Sequence, residues 1–266
     1  MIENNATADP VVSDHHPNWP IWRLIPPIEA SGSVQMAVDC WLLDQHRRGL
    51  QSSVLRFYTW SPPAISLGYH QRHWPDHWRQ LTWQGRAIDI VRRPTGGRAV
   101  LHQGDLTYAI ITSKLAGDRT EAYKTLCQFL IEGWGSLGVR LFYGEAGRSY
   151  IDNLNCFKTA TVADLVTVNG SKLIGSAQLR RDNAILQHGS ICLDPDPLLF
   201  QQVFGTELQP IGLPLDLSQG PRVELHQVVI NALTKSAQMC FSPQFNVQPL
   251  SEGECKEALD CFDLKV

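Results

Sequence analysis

The chain lacks any apolar run of about eighteen residues, the length that a membrane-spanning helix needs. We therefore expect no membrane partner. Its first residues are polar and lack both the basic start and the apolar stretch of a secretory signal. They predict a disordered tail over residues 1–18. The 266 residues, 43% of them hydrophobic, allow a core of ordinary size, and we place a single domain at residues 19–266.

A basic excess is also missing. The sequence has 23 lysines and arginines against 26 acidic residues, a formal net charge of −3, so no nucleic-acid partner is expected. None of the seven cysteines forms the close Cys-x-x-Cys pair of a zinc or redox motif, so no metal site is predicted. An odd number of unpaired thiols favours a reducing, cytoplasmic location.

What is present is an alternation of helical and strand patterns without internal repeats. Ser31 begins an amphipathic helix, and Asp118 with Glu121 forms a capping box for another. Asn169-Gly170 predicts a two-residue hairpin turn, and a second hairpin turns at Asp182-Asn183. Strands are predicted over 56–60, 64–69, 88–93, 99–102, 106–112 and 139–142. Consecutive hairpins predict an α/β protein of the α+β type, with mixed, largely antiparallel sheets flanked by helices.

The segment 92–102 reads Arg-Arg-Pro-Thr-Gly-Gly-Arg-Ala-Val-Leu-His. Adjacent glycines at Gly96 and Gly97 would let backbone N–H groups approach a ligand closely, and the flanking arginines favour an anionic or carbonyl-bearing ligand. The segment is neither a P-loop, because no Gly-Lys-Ser/Thr follows, nor a dinucleotide fingerprint, because a strand follows. The alternative is a plain hairpin turn with solvated arginines.

Two further strands carry candidate residues. Lys172 alternates with an apolar neighbour, so it faces either solvent or a cleft. The small residues Gly175-Ser176-Ala177 on the same strand are typical of close approach by a ligand or another backbone. His188 is followed by Gly189 and is either a satisfied core histidine or a ligand contact.

Cys156 stands apart from the other thiols because its surroundings are polar, whereas Cys40, Cys127 and Cys240 fall on predicted helices. Loops are where reactive groups are displayed. A thiol acts as a nucleophile in its thiolate form, which a nearby ammonium favours by lowering the pKa from about 8.5.

Taken together and in this order, the segments resemble the lipoate–protein ligase/octanoyltransferase family, the lipoyl branch of the biotin/lipoate protein ligase catalytic-domain fold. The resemblance covers about two thirds of the chain and is most specific at 92–102, 172–180 and 186–193. Within the family it is closest to the cysteine-dependent octanoyltransferases of the LipM type. Arg98 stands where many ligases have a further glycine, and Cys156-Phe157 stands where that branch keeps its acyl-accepting cysteine. The stretch between Cys156 and Lys172 is slightly longer than in that branch.

The resemblance implies an acyltransferase of lipoate biosynthesis. An octanoyl group would pass from octanoyl-acyl carrier protein to a Cys156 thioester, and then to a lysine of a lipoyl domain or of the glycine-cleavage H protein. Lys172 would stabilise the thiolate, no cofactor would be needed, and helices after about residue 205 would complete the domain. The substrate contacts implied are Arg93, Thr95, Gly96, Gly97, Arg98, His102, Gly175, Ser176, Ala177, His188 and Gly189.

Three alternatives stay open at this point. An ATP-dependent lipoate–protein ligase would need ATP and magnesium and no cysteine nucleophile. An amidotransferase would share the cysteine chemistry and take its octanoyl group from another lipoyl protein. A non-catalytic acyl-binding or carrier-binding protein would have no need of both Cys156 and Lys172, so their presence argues against it.

Overall fold

The computed structural model describes residues 20–144, 164–214, 217 and 221–261. Its helices are α1 (Gly32–Arg47), α2 (Arg119–Ser136), α3 (Pro197–Phe204), α4 (Arg222–Phe241) and α5 (Glu252–Asp260), with a short 3-10 helix at Asp76–Gln80. The first strands are β1 (Ile21–Ala30), β2 (Ser53–Trp60), β3 (Ala64–Leu67), β4 (Thr82–Trp83), β5 (Arg86–Ala87), β6 (Asp89–Arg92) and β7 (Val100–His102). The remaining strands are β8 (Asp105–Ser113), β9 (Leu141–Tyr143), β10 (Asp164–Thr167), β11 (Lys172–Arg181), β12 (Ala184–Cys192) and β13 (Gln244–Val247).

The predicted tail over residues 1–18 lies outside the described residues, and the boundaries 19–266 of one domain stay a prediction. No helix in the described ranges is long and apolar enough to cross a membrane.

Helix starts follow the local sequence closely. The Asp118 carboxylate accepts hydrogen bonds from the N–H groups of Thr120 and Glu121 at 2.7 and 2.9 Å, and the Glu121 side chain accepts from the Asp118 N–H. This is the predicted capping box at the start of α2, and it satisfies backbone donors that have no partner inside the helix. A second box, at Ser251 and Glu254, begins α5.

A mixed sheet of eight strands forms the centre of the molecule, in the order β13-β1-β2-β8-β12-β11-β10-β9. β1 runs parallel to both β2 and β13, and the other pairs are antiparallel. Helix α1 packs on one face, and α2 with α4 packs on the other. Strand β2 shows the alternation this requires: Leu55 and Phe57 join the α2 side, whereas Val54 and Tyr58 join the α1 side. The predicted class, a mixed and largely antiparallel sheet flanked by helices, is confirmed.

The hairpin between β10 and β11 differs in detail from the expected two-residue turn. Of Asn169 and Gly170, only Gly170 has positive φ, at 77°, and its N–H donates to the Thr167 carbonyl at 2.9 Å. The register then shifts, because Leu165 pairs with Ile174 whereas Val166 pairs with Lys172. Leu173 is therefore the extra residue of a β-bulge, a feature that re-aims neighbouring side chains.

A smaller sheet, in the order β6-β3-β7, lies beside the first and has its own apolar cluster. Ile65 and Leu67 of β3 pack there with Leu199 and Phe200 of α3 and with the buried Trp78 of the 3-10 helix. The loop between β6 and β7 carries the two adjacent glycines, so the packing of the small sheet decides where that loop meets the large one.

Candidate active site

The segment between β6 and β7, residues 93–99, carries Gly96 and Gly97, and we call it the glycine loop. A cavity of about 240 Å³ lies between this loop and the large sheet. Nine of the eleven predicted substrate contacts line it: Arg93, Gly96, Gly97, His102, Gly175, Ser176, Ala177, His188 and Gly189. Thr95, Arg98 and Lys172 lie outside its wall. The structure therefore brings together segments that are some eighty residues apart in sequence, which strand pairing of β11, β12 and β8 makes possible.

The glycine loop is held close to the chain that follows β3. Gly97 has a φ of 93° that favours glycine, and a Cβ on Gly68 would collide with the Gly97 carbonyl oxygen. At Gly96 a Cβ would meet only open space. Among the described residues, the N–H groups of Gly96 and Gly97 make no hydrogen bond, and both residues line the cavity.

Two of the three arginines of the segment, Arg92 and Arg93, are buried, so the alternative of solvated arginines is wrong for both. Arg98 is half-buried. Arg93 donates to the carbonyls of Ser66, Gly96 and Arg98 at 2.6–3.2 Å. Arg92 donates to the carbonyl of Gly68 at 3.0 Å. Each guanidinium offers five donors in a fixed fork, and here that fork binds the loop backbone. These hydrogen bonds hold the backbone around the cavity in place, and Arg93 also lines the cavity.

Lys172 points into the protein. Its Nζ lies 2.8 Å from Asp164 Oδ1, and both side chains are buried. A Cβ built on Gly175 would lie 2.8 Å from Lys172 Cε and 2.9 Å from Nζ. Gly175 and Asp164 both line the cavity, so the ammonium lies directly behind the cavity wall. The absence of a side chain at Gly175 is what leaves it room.

His102 is fixed from three sides. Its Nδ1 donates to Asp105 Oδ2 at 2.8 Å, its Nε2 lies 2.9 Å from Ser66 Oγ, and its ring stacks on Trp60 with centroids 3.8 Å apart. Burial lowers the pKa of His102 below its ordinary value, although Asp105 acts in the opposite direction. In the neutral form Nε2 accepts from the Ser66 hydroxyl, to which Arg93 donates at 3.2 Å. These three contacts therefore hold the His102 ring in one orientation at the cavity wall.

His188 connects helix α1 to the glycine loop. Its Nδ1 lies 2.8 Å from Asp39 Oδ2, and its Nε2 lies 2.6 Å from Thr95 Oγ1. Asp39 also accepts from the Tyr58 hydroxyl at 2.8 Å and pairs with Arg56 at 3.2 Å. All five side chains are buried. The Thr95 hydroxyl therefore connects the glycine loop to His188, and Thr95 itself is not part of the cavity wall.

Sequence reasoning missed the three carboxylates that hold these groups, Asp39, Asp105 and Asp164. A signal existed for Asp39, which lies among apolar residues on the inward face of α1, and for Asp105, which begins an apolar strand. Buried charged residues need partners. Which partner each carboxylate has depends on strand register, which the sequence does not display.

The predicted nucleophile, Cys156, lies in residues 145–163, outside the described residues. Of the cysteines that are described, burial raises the pKa of Cys40 and Cys127 to about 12 and also raises that of Cys192. These three are thiols near neutral pH and poor nucleophiles. The prediction of no metal is untested, although no cluster of metal-ligating side chains occurs in the described part of the chain.

The fold is that of lipoate–protein ligases. A crystal structure of lipoate-protein ligase A bound with ATP superposes with a TM-score of 0.69 at 21% identity, covering 90% of this chain and 94% of that one. A bi-partite lipoate protein ligase from Thermoplasma acidophilum gives a TM-score of 0.63 at 21% identity, covering 91% and 93%. At this identity the likeness shows the fold alone.

The chain belongs to the lipoyl protein ligase A/B catalytic domain family, whose sequence model matches residues 31–210. It is 39% identical to an octanoyltransferase LipM of Kyrpidia tusciae, over 66% of this chain and 67% of the relative. It is 41% identical to that of Brevibacillus brevis, over 67% and 68%, and 38% identical to that of Lysinibacillus sphaericus, over 69% and 70%. The predicted class, an acyltransferase acting as an octanoyltransferase in lipoate biosynthesis, is confirmed.

Proposed function

We propose that the enzyme takes an octanoyl group from octanoyl-acyl carrier protein onto Cys156 and then transfers it to a lysine of a lipoyl domain or of the glycine-cleavage H protein. The observation that carries this proposal is the Lys172 ammonium, which Asp164 holds at 2.8 Å behind the glycine-lined wall of the cavity. A fixed buried cation stabilises a thiolate, and it also attracts the carbonyl oxygen of a bound thioester.

In the first step the Cys156 thiolate attacks the donor carbonyl. The carbon–sulfur bond of the donor breaks, and the carrier thiol leaves with its electron pair and takes up a proton. One thioester replaces another, so no ATP is consumed. The N–H groups of Gly96 and Gly97 can donate to the oxyanion that forms, and each such donor is worth about 3 kcal/mol in the transition state.

In the second step the acceptor lysine, as a neutral amine, attacks the Cys156 thioester. An amide forms, the Cys156 thiolate leaves, and the amine loses a proton to water. Amide formation from a thioester is downhill, so the step also proceeds without a cofactor. The neutral His102 ring is held by Asp105 and Trp60, so we assign it to contact with the acyl group and give it no proton-transfer role.

Intact mass spectrometry tests this mechanism. The protein is incubated with octanoyl-acyl carrier protein without ATP, and one octanoyl adduct that hydroxylamine removes is expected. Cys156→Ala should abolish the adduct, whereas the matched control Cys261→Ser, at an exposed cysteine, should retain it. An adduct that persists in Cys156→Ala would refute the role of Cys156.

The same assay separates the related activities. Attachment of free octanoate that requires ATP and magnesium, with no thioester adduct, would instead identify a ligase. Acylation from an octanoylated lipoyl protein, with none from the carrier protein, would identify an amidotransferase. Tight binding of octanoyl carrier protein without any transfer would identify a binding protein.

A further inference from the structure

Positive charge is concentrated in one segment of an otherwise acidic chain. Residues 68–98 contain six arginines, no lysine and two aspartates, a formal charge of +4, whereas the whole chain carries −3. The remainder therefore carries −7. Segregation of this kind creates a local positive potential and attracts negatively charged partners.

Two arginines of this segment are exposed on its 69–79 stretch. Arg72 and Arg79 are both exposed, with His70 and His73 beside them and Asp76 as the exposed acid of the stretch. Among the described residues neither arginine forms an ion pair. We call Tyr69, His70, Arg72, His73 and Arg79 the basic face.

The basic face is fixed in place by buried neighbours. Trp78 is fully buried, and its indole N–H donates to the Val203 carbonyl at 2.8 Å. Arg79 and Arg92 both lie over the Trp74 ring, at 5.4 and 6.0 Å from its centroid, and cation–π contacts at these distances are attractive. The stretch therefore presents its charges on an anchored surface.

A chain of contacts leads from the basic face to the cavity. Arg92, which lies over Trp74, donates to the carbonyls of Gly68 and Gln71 at 3.0 and 2.7 Å. The Tyr69 N–H donates to the Thr95 carbonyl at 2.9 Å, one residue before Gly96 in the cavity wall. The basic face thus adjoins the glycine loop.

We propose that the basic face docks the protein that donates the acyl group, an acidic carrier whose thioester arm includes a phosphodiester. This inference rests on the proposed function and adds to it the surface used by the donor. Negative charge on the carrier surface and on its arm complements the arginines beside the cavity. The acceptor presents a lysine, which is a cation before it reacts and is repelled by the same charges.

Charge reversal tests the proposal. The double variant Arg72→Glu/Arg79→Glu is compared with Lys235→Glu/Lys256→Glu, which makes the same change in net charge at exposed residues of α4 and α5. Binding of the acyl carrier protein itself is measured by fluorescence anisotropy at low salt. We expect the first variant to weaken binding about tenfold or more and the second to change it little.

A catalytic comparison shows whether the effect belongs to docking. With octanoyl-carrier protein as donor, kcat/KM for formation of the acyl-enzyme should fall in Arg72→Glu/Arg79→Glu. With octanoyl-pantetheine, which lacks the protein and the phosphate, it should stay unchanged. The milder Arg72→Gln/Arg79→Gln variant should give a smaller fall, and salt should reduce the wild-type rate with the protein donor only.

Several results would overturn the inference. Unchanged carrier binding in the Glu variant would do so, as would an equal fall with octanoyl-pantetheine, or a loss confined to binding of the acceptor domain. If neither donor acylates the wild-type enzyme while the carrier still binds through the arginines, the proposed mechanism fails and the docking surface stands.

Discussion

Replacing Asp39 by asparagine should destabilise the protein by about 3–5 kcal/mol, because it leaves a buried cation without its counter-charge. Asp39 and Arg56 have no solvent exposure and lie 3.2 Å apart. Asparagine keeps the size of the side chain and can still meet the Tyr58 hydroxyl and the His188 ring, so packing is preserved and charge is the main change. Against a total stability of about 5–15 kcal/mol, such a loss is large.

Urea unfolding near neutral pH measures the effect, with the slope of the transition used to check that both proteins unfold in the same way. The matched control is Asp44→Asn on the same helix. Asp44 Oδ1 lies 2.7 Å from Arg47 Nη2, but both side chains are more than a third exposed, Asp44 at 35% and Arg47 at 39%. We expect a change below about 1 kcal/mol there. Equal losses at Asp39 and Asp44 would refute the reasoning from burial.

The catalytic consequence gives a second readout. His188 links Asp39 to Thr95, so Asp39→Asn should also loosen the glycine loop and lower the rate of acyl transfer. Arg56→Met by itself should lower the free energy of unfolding. The double variant Asp39→Asn/Arg56→Met should lose less stability than the sum of the two single losses, because it contains no unpaired buried charge.

Three further predictions follow from the site. Gly175→Ala should lower kcat for acyl transfer more than it lowers thermal stability, because the new methyl group displaces the Lys172 amine; equal kcat in the variant would contradict this. Gly68→Ala should destabilise the protein by about 1–3 kcal/mol in urea unfolding, since its Cβ meets the Gly97 carbonyl rather than a movable side chain. Burial lowers the pKa of His102 below its ordinary value of 6.5, so unfolding takes up a proton and the free energy of unfolding falls as pH decreases below about 6.5. His102→Gln should reduce this slope, and an unchanged slope would assign it to other groups.

Local sequence signals predicted the elements well where the cause is local. The capping box at Asp118 and Glu121 depends on residues three apart. Helix α3 (Pro197–Phe204) likewise has local end signals, because Pro197 begins it and Gly205 ends it with positive φ. Strands β1 and β13 were not predicted, since β1 contains two prolines and β13 is a short strand at the edge of the sheet, where pairing with the distant β1 decides its conformation.

The features of the site also divide into those that the sequence predicted and those that only the fold determines. The order of the glycine loop, the Lys172 strand and the His188-Gly189 strand was enough to predict the family, and those segments do line one cavity. Whether Lys172 faces solvent or the interior could not be decided from alternation, because the bulge at Leu173 breaks the alternation on which such a prediction depends.

Lys172 shows what the sequence determines and what only the tertiary structure decides. The sequence by itself determined the chemical groups: an amine on a strand of small residues, two glycines between strands, and a cysteine among polar neighbours. The tertiary structure decided that the amine is buried and paired with Asp164, that Arg92 and Arg93 bind backbone carbonyls, and that the carboxylates orient both histidines. The physical reason is that burial and ion pairing depend on register between strands distant in sequence, which no local pattern encodes.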